Sequence, residues 1–136
     1  MDLERFVDAQ AGTYDRALAE LRAGRKTSHW MWWIFPQVAG LGRSSTAAAY
    51  GVADLDEASA YLRHEVLGPR LVECCRALLA LEDVSAERVL GSVDAMKLRS
   101  SMTLFAHADP SEPVFRDVLE RLYDGHEDER TVQLLG

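Results

Sequence analysis

Residues 28–37 read Ser-His-Trp-Met-Trp-Trp-Ile-Phe-Pro-Gln and hold all three tryptophans of the chain, Trp30, Trp32 and Trp33. No other segment has a comparable apolar density. Read as a helix, the stretch puts His29 over Trp32 and Trp33, and Trp30 over Trp33 and Ile34. Apolar side chains then cover nearly the whole circumference, the pattern of a buried helix. Read as a strand, it needs cover on both faces, and no second strand pattern exists to pair with it. A short helix is therefore predicted. Pro36 disfavours helical geometry at Phe35 and ends it there, and Gln37–Arg43, with Gly40 and Gly42, follows as a loop.

The rest of the chain reads as helices closing around this stretch. Leu3, Phe6, Val7, Tyr14, Ala17, Leu18 and Leu21 recur at helical spacing and predict one helix over 3–23, from an Asp2 cap to a Gly24 stop. Ser44 or Ser45 caps an alanine-rich helix to Tyr50. Asp54 and Glu57 have the spacing of a capping box and open a helix to Arg63. Leu67, Leu71, Cys74, Leu78 and Leu81 step by four and three along one stripe. Ser85 caps a short turn through Leu90. Ser92 caps a helix to about His107, with Leu98, Met102 and Phe105 inward. Ser111 caps a helix with Pro113 in its first turn, and Asp128 caps a last one through Leu135. No segment alternates with period two. The prediction is an all-α fold: a compact single-domain bundle of about seven or eight helices, several of them short, spanning 1–136.

The chain's 136 residues suit one domain with a real core. Its 48% hydrophobic and 27% charged residues are those of a folded domain. A formal charge of −7 argues against a sequence-independent grip on nucleic acid, which needs a broad basic footprint. No apolar run is long enough to span a bilayer, and Met1–Arg5 lacks the basic-then-apolar layout of a signal peptide. Membrane association is not expected, and the expected location is the cytoplasm. Cys74 and Cys75 are adjacent, which disfavours a disulfide between them; they read as small core-edge residues, with no metal-ligand spacing.

A second block, Lys97-Leu98-Arg99-Ser100-Ser101-Met102-Thr103-Leu104-Phe105, puts two cations and three hydroxyls beside an apolar line. Helical spacing stacks Lys97 over Ser100 and Ser101, and Arg99 over Thr103. A planar guanidinium, a point charge and hydroxyl donors are what recognition of a phosphate or carboxylate needs. The plainer alternative is a solvated helix flank whose cations pair with the chain's many carboxylates. The four histidines show no metal spacing, and the nucleophile-elbow, P-loop and dinucleotide glycine patterns are absent. No metal or cofactor is predicted. His29 is the one candidate for acid–base work, because it opens the aromatic stretch. No motif fixes a reaction.

The run His29–Gln37, the segment Val66-Leu67-Gly68-Pro69-Arg70-Leu71, the block Lys97–Phe105 and the opening Asp2–Gln10 together resemble the bacterial family called domain of unknown function 1810. The resemblance extends over nearly the whole chain and implies a compact all-helical domain, but no activity. Trp33 stands where the family pattern takes Phe at least as readily, a swap that keeps an aromatic wall. Some members carry the label calpastatin, which implies a protease inhibitor. Such inhibitors are disordered, whereas this composition is that of a folded domain.

Two functional readings follow. In the first, the aromatic stretch and the Lys97–Thr103 helix wall one cleft for a small anionic ligand with a flat or apolar part, such as a nucleotide or an ADP-ribose-like compound. His29, Trp30, Trp32, Gln37, Lys97, Arg99, Ser100, Ser101 and Thr103 are its candidate binding residues. In the second, the aromatics are core and the chain is a non-catalytic protein–protein interaction module. A shared cleft faced by Arg99 favours the first, an exposed apolar patch the second.

Overall fold

A computed structural model describes residues 2–136. The described residues form ten α-helices: α1 (Glu4–Ala11), α2 (Tyr14–Ala23), α3 (Met31–Ile34), α4 (Ser45–Tyr50), α5 (Leu55–Arg63), α6 (Leu67–Leu79), α7 (Ala86–Leu90), α8 (Ser92–Ala108), α9 (Val114–Tyr123) and α10 (Glu129–Leu135). The all-α fold expected from periodicity is what forms. The count of seven or eight is corrected to ten for two reasons. The apolar stripe of residues 3–23 is carried by two helices broken at Gly12-Thr13, where Gly12 closes α1. The turn after Ser85 is also a helix in its own right.

The caps follow from local chemistry. The side chains of Ser44, Asp54, Ser85 and Asp128 each accept a hydrogen bond from the backbone N–H three residues on, removing one of the unpaired donors at each helix start. In the Asp54 box, Glu57 reaches back to the N–H of Ala53 rather than to that of the cap residue. Asp2, Ser92 and Ser111 do not cap: α1, α8 and α9 begin after Leu3, Gly91 and Pro113 with no side-chain bond.

The hub of the bundle is α8, not the aromatic stretch. It packs against α5, α7, α9 and α10, and every residue from Ser100 to Ala106 is buried. A line of aromatic rings crosses the core through it: Phe6 meets Tyr61 edge-on at 5.2 Å between centroids, Tyr61 meets Phe105 at 5.3 Å, and Phe105 meets Phe115 at 5.7 Å. These separations lie in the range that favours tilted and edge-to-face pairs. Cys74 and Cys75 sit inside this core rather than at its edge, both fully buried and unpaired with each other. Burial pushes the Cys74 thiol up to about 12, so it stays protonated and acts as an apolar filler.

Helices α5 and α6 pack closely at Gly68. A β-carbon built there would stand 2.1 Å from the carbonyl oxygen of Leu62. Neither backbone can move aside, so Gly68→Ala is expected to lower stability by about 2 kcal/mol, a typical cost of overpacking. Urea denaturation measures it, and a variant as stable as the wild type would show that α5 and α6 separate freely.

Candidate functional site

The link between α2 and α3 is tied down by one carboxylate. Glu20 accepts hydrogen bonds from the backbone N–H groups of Thr27 (2.7 Å) and Ser28 (3.0 Å), from the Ser28 hydroxyl (2.5 Å) and from the Trp30 indole (3.0 Å). Partial burial works to raise its pKa, but these four donors outweigh it and hold the carboxyl at about 2. The Lys26 N–H also donates to the carbonyl of Val89 at 2.7 Å. The aromatic segment thus enters α3 from a fixed position.

The three indoles then take different environments. Trp30 is fully buried and bonded to Glu20. Trp33 is half-buried and donates to the Thr13 hydroxyl at 2.8 Å, with its ring against Tyr50. Trp32 is also half-buried, and its indole N–H has no hydrogen-bond partner among the described residues. Trp32 is the tryptophan that lines a cavity.

That cavity has a volume of about 240 Å³ and lies between the 37–51 segment, α8 and the start of α10. Trp32, Gln37, Val38, Leu41, Ala47 and Tyr50 form one side; Val93, Met96, Lys97, Arg99, Ser100, Asp128 and Arg130 form the other. The ends of the 37–51 segment are pinned together, with the Ala39 N–H donating to Val52 O (2.7 Å) and the Val52 N–H to Gln37 O (2.8 Å). Gly42 packs so tightly that a β-carbon would meet that of Ala47 at 2.8 Å, and Gly40 turns the chain at a φ of +99°. Three cations and one carboxylate line this cavity, on a chain whose formal charge is −7.

Of the residues expected from sequence, Trp32, Gln37, Lys97, Arg99 and Ser100 come together here. The other four do not. His29 is exposed, lies outside the cavity, and has no hydrogen-bond partner among the described residues, so nothing beside it supports acid–base work. Trp30 belongs to the core. Ser101 and Thr103 point away from the cavity into the bundle, both fully buried.

The hydroxyls serve a different purpose from the one their sequence pattern suggests. Thr103 donates to the Arg99 carbonyl (2.8 Å) and accepts from the Asp128 N–H (2.9 Å). Ser100 lies 3.1 Å from the Asp128 carboxylate, which also caps α10 through Thr131. Ser100 and Thr103 dock α10 onto α8, whereas Ser101 Oγ is buried without any partner. Lys97 is also engaged: its Nζ stands 4.0 Å from the Trp32 ring centroid and 3.3 Å from Asp94, which in turn binds Lys26 at 2.9 Å. Arg99 has only a loose partner, Asp128 at 3.8 Å, and Arg130 has no carboxylate partner among the described residues. The cavity is therefore lined by an indole whose N–H has no partner among the described residues and by two under-committed guanidinium groups.

Val38, Leu41, Tyr50, Val93, Met96 and Arg130 were not singled out by the sequence analysis. For Val93 and Met96 a signal existed: they repeat at helical spacing on the side of α8 opposite the Leu98–Met102–Phe105 line. A larger, more open groove of about 930 Å³ runs between α2, α6 and α9. It is lined by Arg22, Arg70 and Arg76 but also by Glu73, Asp109 and Glu112, so its charges balance. Size alone would select it; the chemistry of an anion site selects the smaller cavity. Among the described residues no three His, Cys, Asp or Glu side chains gather as metal ligands do, and no helix is long and apolar enough to cross a membrane.

A crystal structure of the conserved hypothetical protein Rv1873 from Mycobacterium tuberculosis superposes on the chain with a TM-score of 0.97 at 51% sequence identity, covering 98% of this chain and 96% of that one. No curated protein matches the chain. The family model described as a protein of unknown function, DUF1810, matches residues 1–135. On a match of that extent, together with the shared fold, the chain belongs to the DUF1810 family.

Proposed function

We propose that the chain binds a small anionic ligand with a flat or apolar part in the cleft between α3, the 37–51 segment and α8. Nucleotides and ADP-ribose-like compounds are the first such class to test. The observation that carries this reading is the excess of cations around an otherwise apolar cavity on an acidic protein. A net charge of −7 repels anions at long range, so only directed local donors can hold one. Arg99 and Arg130 can supply planar, paired N–H groups, and Trp32, which lines the same cavity, has an indole N–H without a partner among the described residues.

The test combines a ligand screen with Arg99→Lys. A ligand of the folded state raises the melting temperature, so nucleotides, ADP-ribose and sugar phosphates are screened by thermal shift. Lysine keeps the charge and removes the fork. Arg99→Lys is expected to weaken binding of a screened anion about tenfold or more, the equivalent of one charge-assisted hydrogen bond. Unchanged affinity in the variant would reject Arg99 as an anion-binding group.

One observation favours a second reading, in which the same face takes a partner protein. The large apolar side chains most exposed to solvent are Val93 (64%), Met96 (70%) and Leu134 (47%). Val93 and Met96 line the cavity, and Leu134 packs beside Gly40 on its border. Exposed apolar groups gathered at one place mark interaction surfaces.

A further inference from the structure

Resting on the anion-cleft reading above, we infer the ligand's chemical class: the cleft is built for an amphipathic molecule with one anionic group, a hydrocarbon or aromatic body carrying a single carboxylate or phosphate.

Three observations point there. The first concerns polar complement. A ribose or a dinucleotide brings many hydroxyls and ring nitrogens, and each loses water on entry and must find a partner. The cavity has few to offer. The Ser100 hydroxyl and the Asp128 carboxylate are spent on one another and on Thr131. Lys97 is held by Asp94 and lies over Trp32. Among its side chains, only the Gln37 amide, the Tyr50 hydroxyl and the Trp32 N–H are neutral polar groups without a hydrogen bond to the described residues. The remaining surface from the 37–51 segment is aliphatic or glycine backbone.

The second concerns charge number. Arg99 and Arg130 stand on the boundary between this cavity and a shallow groove whose lining includes Glu127, Asp128 and Glu129. One anionic group fits against the two guanidiniums. A second phosphate beyond them meets the carboxylates of Asp128 and Glu129, with Glu127 already paired to Arg116 and His107, and like charges repel. The site accepts one charged group and disfavours a polyphosphate.

The third concerns size. A volume of about 240 Å³ holds a ring or a short chain, not a dinucleotide. Val93 and Met96 extend the apolar surface outward from it, so a longer body has somewhere to lie. Apolar groups there, next to the cations, match a molecule whose hydrophobic part begins close to its anionic end.

The experiment uses the full chain and tryptophan fluorescence. Acetate, butanoate and octanoate form a series with one head group and a growing body. Octanol supplies the body without the charge; inorganic phosphate, adenosine monophosphate and ADP-ribose supply anions with a polar body or none. If the inference holds, affinity rises about fourfold for each methylene buried, the fold-change equivalent to about 0.8 kcal/mol. Octanoate then binds tighter than octanol and tighter than either nucleotide. Arg99→Lys reduces octanoate binding about tenfold and leaves octanol unchanged, and Trp32→Phe abolishes the fluorescence response while binding by calorimetry persists. If adenosine monophosphate or ADP-ribose binds more tightly than octanoate, and Arg99→Lys weakens it, the amphipathic class is wrong while the anion cleft stands. If octanoate and octanol bind equally, and Arg99→Lys changes neither, both the class and the anion cleft fail. No binding of any probe at millimolar concentration also overturns both.

Discussion

Replacing Trp30 by alanine is expected to destabilise the protein by about 3–5 kcal/mol, the cost of truncating a large aromatic in a packed core. Trp32→Ala is expected to cost under about 1 kcal/mol. The sequence left all three tryptophans as either core or cleft wall; the structure puts Trp30 in the core, 1% exposed, with its ring near Phe35 and the Lys26 ammonium 5.1 Å from its centroid. Its removal opens a cavity and strips one donor from Glu20. Trp32 lies half-buried against solvent-accessible space, so its loss leaves neighbours that water can reach. Against a typical total of about 5–15 kcal/mol, the Trp30 variant would be largely unfolded at modest urea, and paired denaturation curves would show the difference directly. Equal losses at the two positions would mean that Trp32 is core and that the cleft has no aromatic wall.

That difference shows where periodicity stops being informative. It predicts helices well, since a 3.6-residue apolar repeat has few other uses: Leu67–Leu78 and Val114–Leu119 carry the inner faces of α6 and α9, while Leu81 lies beyond the end of α6. It cannot see a break that costs little. Gly12 and Thr13 interrupt residues 3–23 without disturbing the apolar phase, so one expected helix is two. Nor does local density reveal the hub. The stretch with three tryptophans lies to one side of the bundle, whereas α8 is central because Ser100, Ser101, Thr103 and Ala106 are small enough to let neighbours approach from several directions.

The candidate site was legible in outline for a related reason. Trp32 and Gln37 on one side, Lys97 and Arg99 on the other, are large or charged groups whose chemistry is visible in any fold. What the hydroxyls do was not legible, because it depends on Asp128, which is 25 residues from Thr103 in the chain. A Ser or Thr beside a cation looks the same whether it binds a ligand or docks a helix. The apolar wall from Val38 and Leu41 was hidden by its loop, where no periodicity marks an inward face.

Acid is expected to weaken the protein through Glu20, and Glu20→Gln is expected to remove much of that sensitivity together with about 3 kcal/mol of stability at neutral pH. Glutamine keeps the length of the side chain but has one acceptor oxygen and no charge, so it cannot satisfy the Thr27, Ser28 and Trp30 donors together. Hydrogen bonds to a charged group are worth about 1.5–3 kcal/mol, and the buried indole N–H left unpaired adds its own penalty. The pH dependence follows from the position of the pKa. In the folded protein Glu20 is held at about 2, below its ordinary value of 4.5. The unfolded chain therefore takes up the proton first as pH falls. The stabilisation is fully present above about pH 5 and drains away between there and about pH 2. Urea midpoints measured at pH 7, 5, 4 and 3 (points chosen to span roughly the window given by linkage) should fall steeply in the wild type and more gently in the variant. Because the Glu20 ties fix how residues 27–30 enter α3, the same substitution should also loosen the position of Trp32. A variant whose acid limb parallels that of the wild type would show that Glu20 is solvated, and that another interaction anchors the aromatic segment.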